Sequence, residues 1–414
     1  MLIDFDLDRF IRDKVTRRPV SLLDADLRRD DANLHHQIDG ARALVIGGAG
    51  SIGSHYIKAM LRFDVAKLCV VDTNENGLTE LVRDLRSSGI YKIPADFITY
   101  PANFGDRVFD KIIAAHGPFD IVANFAAHKH VRSEKDVFSI EAMVENNVLR
   151  ARGLLDLLAH NPPRHFFCVS TDKAANPVNL MGASKKLMEE LILAYAERLP
   201  IKTARFANVA FSNGSLPIGF LDRIFKRQPW SCPLGIRRFF VSPIESGELC
   251  LVASVLGQSG DIFFPKLDED RDMIAFDRIA FDLLEALGME AEICSSEGEA
   301  REQMTRLLSR AGRDQPSGPI RWPVYFFTSD TSGEKAYEEF FTAGEKLDLD
   351  RFINLGVVKD SPRRSLTEID VIFRELQQLF DRPQVSKADI VEVFKGYLPN
   401  FEHIEKGKGL DQKM

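Results

Sequence analysis

A glycine triplet constrains this chain more than any other feature. The apolar run Ala43-Leu44-Val45-Ile46 passes directly into Gly47-Gly48-Ala49-Gly50-Ser51-Ile52-Gly53, which opens the amphipathic segment SIGSHYIKAMLRF. Gly47, Gly50 and Gly53 give the spacing Gly-x-x-Gly-x-x-Gly. Such a turn needs residues without a Cβ, and a pyrophosphate needs close approach of the backbone. The helix behind the turn adds unpaired N–H groups and the positive end of its dipole. With a strand before it and a helix after it, the motif predicts dinucleotide binding, with Ser51 and Ile52 in the first helical turn. Asp72 lies 19 positions after Gly53, at the end of the run KLCVVD. A carboxylate there can accept both hydroxyls of an adenosine ribose and repels a 2′-phosphate, which favours NAD over NADP. Asp72 is equally placed to cap the next helix, and Asn74 beside it is a further expected cofactor contact.

The pattern around this motif is that of an α/β protein with a doubly wound parallel, Rossmann-type sheet. Strand-length apolar runs at ARALVIGG, KLCVVD, ADFITYPANF, FDIVANFAA, RHFFCVSTD and KTARFANVA alternate with helical segments. The longest of those segments are FSIEAMVENNVLRARGLLDLLAHN and GASKKLMEELILAYAERL. This alternation is what a parallel sheet covered by helices requires. Three parts are expected: a helical leader over 1–40, a dinucleotide-binding domain over 41–210, and a smaller substrate-binding region with a C-terminal extension over 211–414. In the last part FLDRIFKRQPW and ESGELCLVASVLG read as helices, and GDIFFPKL reads as a strand. RAGRDQPSGPIRWP reads as an exposed loop, VYFFTSDTSGEKAYEEFF as mixed strand, turn and helix, and HIEKGKGLDQKM as a disordered tail.

Composition narrows the partners. A net charge of −7 argues against a nucleic-acid binder, which needs a basic face. The five cysteines are scattered, without a Cys-x-x-Cys pair or a Cys/His cluster, so neither a disulfide framework nor a metal site is expected. No apolar run approaches the roughly 18 residues of a membrane span, and the charged N-terminus does not read as a signal peptide. A cytoplasmic setting is the expectation.

A second signal stands at the end of the fifth strand: Ser170-Thr171-Asp172-Lys173, then Asn176-Pro177, then Met181-Gly182-Ala183-Ser184-Lys185. In open parallel sheets, ligands bind beyond the carboxyl ends of the strands, so these residues face the cofactor cleft. By spacing alone, Thr171 to Lys173 could equally be a strand-end turn, and Lys185 a solvated lysine beside Lys186.

The run FFCVSTDKAANPVNLMGASKKLMEEL resembles the active-site segment of nucleotide-sugar 4,6-dehydratases of the capsule and polysaccharide-biosynthesis type. These are extended short-chain dehydrogenases/reductases. Ala126-Ala127-His128-Lys129-His130-Val131 resembles that family's loop after the fourth strand, and Glu145-Asn146-Asn147-Val148 its Asn-Asn-Val helix. Arg205-Phe206-Ala207-Asn208-Val209 is similar to its Arg-Phe-Gly-Asn-Val strand. The stretch before the glycine loop resembles that of members carrying membrane helices. The resemblance covers roughly residues 15–265.

The resemblance implies a bound NAD and a UDP-linked substrate. UDP-N-acetylglucosamine would be converted to its 4-keto-6-deoxy product, UDP-2-acetamido-2,6-dideoxy-4-hexulose. It implies Asp172 as acid, Lys173 as base, Thr171 as holder of the oxygen on carbon 4, and Lys185 as a ligand of the nicotinamide ribose. Ala126 and Ala127 would lie against the cofactor, with Lys129 and His130 in the active-site lining. Arg205, Asn208, Asn213, Arg237 and Arg238 would meet the uridine diphosphate, where arginine's planar fork suits phosphate. The family habit further implies a homo-oligomer paired through the two long helices.

One departure stands out. The general short-chain pattern is Tyr-x-x-x-Lys, and here Met181 holds the tyrosine position. A thioether moves no proton, so Lys173, Lys129 and a water held by Thr171 are the candidates for the base at carbon 4. Some members of the dehydratase family resemble this chain in having Met there. Two rivals follow: a nucleotide-sugar 4-epimerase, which has no need of the Asp172–Lys173 pair, and a non-catalytic nucleotide-sugar or NAD-binding protein.

Overall fold

The apolar runs are strands because all but the half-buried edge strand Asp96–Pro101 are buried on both faces of a parallel sheet, where no water reaches an alternating polar face. They form β1 (Arg42–Ile46), β2 (Lys67–Asp72), β3 (Asp96–Pro101), β4 (Ile121–Asn124), β5 (His165–Val169) and β6 (Ile201–Ala204). The spatial order is β3-β2-β1-β4-β5-β6, all parallel. Every residue of β4, β5 and β6 is buried. The computed structural model describes residues 5–310, 318–328 and 339–403. The chain reverses its winding between β1 and β4, which opens a crevice beyond their carboxyl ends.

The doubly wound sheet is wider than six strands. Asp261–Pro265 adds in parallel to β6, Leu355–Lys359 adds antiparallel to that strand, and Lys346–Asp348 closes the edge. Three strands of the sheet therefore come from beyond residue 210. Two small three-stranded sheets flank it, one of them joining Trp230–Pro233, Met289–Cys294 and Ile320–Phe327 in parallel.

Some local expectations change. The helix expected over FLDRIFKRQPW is Leu216–Phe225: Arg227 takes a left-handed φ of 54°, and Trp230 already starts a strand. Ile320 to Pro323, expected in an exposed loop, begin the strand Ile320–Phe327. The remainder of that loop at 311–317, the 329–338 part of the mixed segment, and 404–414 of the expected tail lie outside the described residues. Among the described residues no helix is long and apolar enough to cross a membrane.

The leader is helical and bound to the body. Leu23, Leu34 and Ile38 are fully or almost fully buried in the main core. The Arg18 guanidinium donates to both carboxylate oxygens of Glu245, at 2.8 and 2.7 Å. Asp26 accepts the backbone N–H groups of Ile353 and Asn354.

The C-terminal residues pack on part of the face formed by the two long helices. Helices Leu366–Phe380 and Lys387–Tyr397 each start at a capping box, Ser365 with Glu368 and Ser386 with Asp389. Their inner residues Ile369, Leu376 and Phe394 share one core with Leu154 and Leu155 of Arg150–Ala159 and Leu191 of Leu180–Ala194. Arg152 reaches Asp370 at 2.8 Å and Arg364 reaches Glu190 at 2.5 Å across the same seam. The C-terminal helices thus cover part of the surface that the two long helices offer, while Phe138 at the start of the first stays exposed.

Candidate active site

The first wall of the cleft is built from backbone. Gly47 leaves β1 at φ +75°, and a Cβ on it would lie 2.6 Å from the amide nitrogen of Ala126. A Cβ on Gly53 would strike the carbonyl oxygen of Gly47. Gly50 has no such crowding and precedes helix Ser51–Met60, whose first turn has no side-chain cap. Those N–H groups face open space, the arrangement that receives an anion. Asp72 accepts from the Ala49 amide at 2.9 Å and from the Asn74 amide at 2.9 Å, so it ties the glycine loop to the end of β2. The capping role falls to Asn74, whose Oδ1 accepts from Gly77 N at 2.9 Å. Asn74, expected at the cofactor, is engaged in this cap and does not line the cavity.

This first cavity has a volume of about 260 Å³, with the glycine loop, Asp72, Ala126 and Ala127 in its lining. A second, of about 240 Å³, adjoins it, and Ile52, Phe125, Ala127 and Lys129 line both. The two make one continuous cleft. Ser51 bridges its halves: its Oγ accepts from the Asn213 amide at 2.9 Å.

The second wall is built from side chains. Beyond β5 the chain turns through a short 3₁₀ helix at Asp172–Ala174. Asp172 is buried, and its Oδ1 accepts from Thr171 Oγ1 at 2.7 Å, Lys173 N at 2.9 Å and Lys173 Nζ at 3.0 Å. Asn179 caps the next helix by accepting from Gly182 N, which sets Met181 and Lys185 one turn apart. Lys185 is buried and donates from Nζ to the Val169 carbonyl at 3.0 Å; desolvation lowers its pKa. Burial among neighbouring groups lowers the pKa of Lys129 as well, although its side chain keeps access to solvent within the cleft. Thr171, Asp172, Lys173, Met181, Lys185, Lys129, His130, Asn208 and Asn213 all line this second chamber.

Three arginines expected at the diphosphate are elsewhere. Arg205 is fully buried beneath the chamber, and its guanidinium binds Glu189 and Glu345. Arg237 is exposed and donates to the Glu269 carbonyl, while Arg238 is buried and donates to the Arg237 carbonyl. Neither residue is part of the cleft lining.

Two polar residues to which the sequence assigned no role organise the site: Asn147, read only as part of the Asn-Asn-Val resemblance, and Glu134. Asn147 sits in a π-helical turn, Glu145–Leu149, of the kind that often marks a functional position. Its side-chain amide accepts from His128 N at 2.8 Å and donates to His128 O at 2.9 Å and Ser184 Oγ at 3.2 Å, clamping the Lys129 loop to the Lys185 helix. Glu134 accepts the Met181 amide at 3.0 Å and meets His403 at 3.4 Å from the far end of the chain. An asparagine on the apolar face of a helix was the available sequence signal for the first. Glu134 carries no comparable signal.

Comparison with known proteins agrees with this architecture. The sequence pattern of a family described as polysaccharide biosynthesis protein matches residues 43–311. The chain is 29% identical to the probable polysaccharide biosynthesis protein EpsC of Bacillus subtilis, over 62% of this chain and 42% of that protein. It is 30% identical to a UDP-glucose 4-epimerase of Rickettsia bellii, over 54% of this chain and 65% of that protein. It thus spans less than two thirds of each of these relatives. The solved structure of Pen from Bacillus thuringiensis superposes with a TM-score of 0.59 at 19% identity, over 79% of this chain and 90% of that one, which is a likeness of fold. Because the family pattern covers well over half of the sequence, the chain belongs to the polysaccharide biosynthesis protein family.

Proposed function

We propose that this chain is an NAD-dependent nucleotide-sugar 4,6-dehydratase acting on a UDP-linked N-acetylhexosamine, UDP-N-acetylglucosamine first among them. One observation carries the reading: Asp172 and Lys173 form a close pair, 3.0 Å apart, in the wall of a chamber continuous with the glycine-loop cavity. An epimerase acts at carbon 4 alone and has no use for such a pair.

The glycine loop and Asp72 fit NAD. A Cβ at position 47 or 53 would fill the cradle, and the uncapped turn at Gly50 faces the space a pyrophosphate takes. When bound, NAD would supply reversible hydride transfer between sugar carbons 4 and 6. Ala126 and Ala127 would flank the cofactor, and Lys185 would hold its ribose.

The protein's own task is proton handling. In the ion pair Asp172 is a carboxylate and Lys173 an ammonium. Moving that one proton from Nζ to Oδ1 yields a carboxylic acid and a neutral amine together, the acid and base that dehydration requires. The Lys173 amine then takes the proton from carbon 5 while Asp172 protonates the departing hydroxyl of carbon 6. Lys173 returns a proton to carbon 5 as hydride arrives at carbon 6, and the proton released from the carbon 4 hydroxyl, passed through a water held by Thr171, restores Asp172, so one water leaves and the protons balance. Thr171 is one residue from the pair and holds the oxygen on carbon 4. Lys129, His130, Asn208 and Asn213 line the space left for sugar and diphosphate.

Mass spectrometry of UDP-N-acetylglucosamine incubated with the purified protein in deuterated water, with and without added NAD, tests this. The expected product is lighter by one water and carries deuterium from solvent. An unchanged mass with altered sugar configuration would replace this reading by the epimerase, the activity that the Rickettsia relative's name favours. No change with UDP-, GDP- or TDP-sugars would leave a binding protein.

A further inference from the structure

A cluster of buried charges lies beneath the catalytic turn. Glu189 and Arg205 are completely buried, and the Glu345 side chain is 13% exposed. Arg205 grips Glu189 with two hydrogen bonds, at 3.0 and 2.9 Å, and Glu345 with two more, both 2.8 Å. It also donates to the Phe340 carbonyl at 3.0 Å. Glu189 in turn accepts from Ser170 Oγ at 2.6 Å. Burial pushes the Glu189 carboxyl up, but the Arg205 guanidinium outweighs it and brings the pKa down to about 2.

Ser170 immediately precedes Thr171, so this cluster supports the turn from below. From above, the turn is held by the bond from Asp172 N to Phe206 O at 3.2 Å. Glu345 comes from residues 339–345, which lie beyond the end of the family match at residue 311. That segment is seated independently. Phe340 packs against Phe239 at 5.4 Å between ring centres, and Glu339 accepts from Asn176 Nδ2 at 2.8 Å.

We propose that Glu345 is a positioning residue: through Arg205 and Glu189 it fixes Ser170, and with it the Thr171–Asp172–Lys173 turn, so that residues 339–345 form part of the active-site support. The catalytic part of this inference rests on the dehydratase reading above. Without the Glu345 carboxylate, Arg205 retains buried N–H groups lacking an acceptor, and it can relieve them only by shifting away from Glu189.

The test compares Glu345→Gln and Glu345→Asp with the wild-type full chain, reading kcat, KM and amide hydrogen exchange in the peptide 168–176. Glu345→Gln is expected to lower kcat about tenfold with KM within about twofold, the signature of a displaced catalytic group. Exchange at 168–176 should rise about tenfold, with β1 and β2 unchanged. Glu345→Asp, which keeps the charge on a shorter arm, should fall between the two and carries the test if the Gln variant does not fold. Wild-type kcat and exchange in the variants would overturn the proposal, as would exchange rising equally in β1 and β2. If the wild-type protein turns over no nucleotide sugar, the dehydratase reading falls. Exchange at 168–176 then decides the positioning role: a rise upholds it, and none overturns it.

Discussion

The two walls of the cleft are made in opposite ways. The glycine-loop wall depends on atoms that are missing: Gly47 and Gly53 allow backbone to meet backbone, and a single methyl group at either closes the gap. The catalytic wall depends on atoms that are present, with Asp172, Lys185 and Glu189 all buried and each held by named partners. The first wall is the more local, drawn from the glycine loop and the ends of the neighbouring strands at Asp72 and Ala126. The second is assembled from positions up to 140 residues apart, as in the bond from Arg205 to Glu345. Sterics therefore govern one wall and electrostatics the other, and substitutions should separate the two.

The sharpest separation is expected at Lys173. Lys173→Ala should lower turnover by about 10²–10⁴-fold, the usual worth of a positioned acid or base, with NAD affinity near wild type. Turnover and calorimetric titration with NAD read the two effects, and a parallel loss of NAD affinity would break the contrast. Gly53→Ala is the converse. Overpacking of about 1–3 kcal/mol should weaken NAD binding by roughly tenfold to a hundredfold. The Asp172–Lys173 pair should remain intact, which hydrogen exchange at 168–176 would check.

Leu376→Ala asks whether the distant helices support the second wall. Leu376 is fully buried in the core shared with the Lys185 helix, so the loss should be about 2–5 kcal/mol in denaturant unfolding. Light scattering should show a monomer before the change and self-association after it, as the covered face of the long helices opens. An oligomer of the wild type crosslinked through that face would contradict the intramolecular seam. The smallest effect is expected at Arg237, which stands outside the cleft. Arg237→Ala should alter KM by less than about twofold, the range of an ordinary surface change. A tenfold rise would return this residue to the diphosphate.

Legibility in the sequence follows the same division. The six central strands and the helices between them could be read because apolar runs of strand length alternate with segments of helical period, and the turn at Thr171–Lys173 because it sits at a strand end that the topology sends to the cleft. Arg205 was misplaced for a physical reason. A sequence shows an arginine near a strand, but not the carboxylate that will neutralise it from 140 positions away. The helices Leu366–Phe380 and Lys387–Tyr397 were within reach, since Ser-Leu-Thr-Glu and Ser-Lys-Ala-Asp are capping boxes ahead of apolar periodicity. That these two helices pack on part of the long-helix face could not be read, because nothing local in the long helices reveals which later segment meets them.

The bond between Asp26 and the backbone at residues 353 and 354 joins positions 327 and 328 apart in the chain. During synthesis, the leader emerges long before the N–H groups that donate to Asp26 exist. The strand Leu355–Lys359, which pairs with Asp261–Pro265, arrives just as late. Contacts of such sequence separation are slow to form, because a long loop must close before they repay it. The glycine-loop half can collapse early on nearer contacts, whereas the charge cluster next to the Thr171–Lys173 turn waits for Glu345. A nascent chain of this protein therefore has the outline of its cofactor site well before it has a working one.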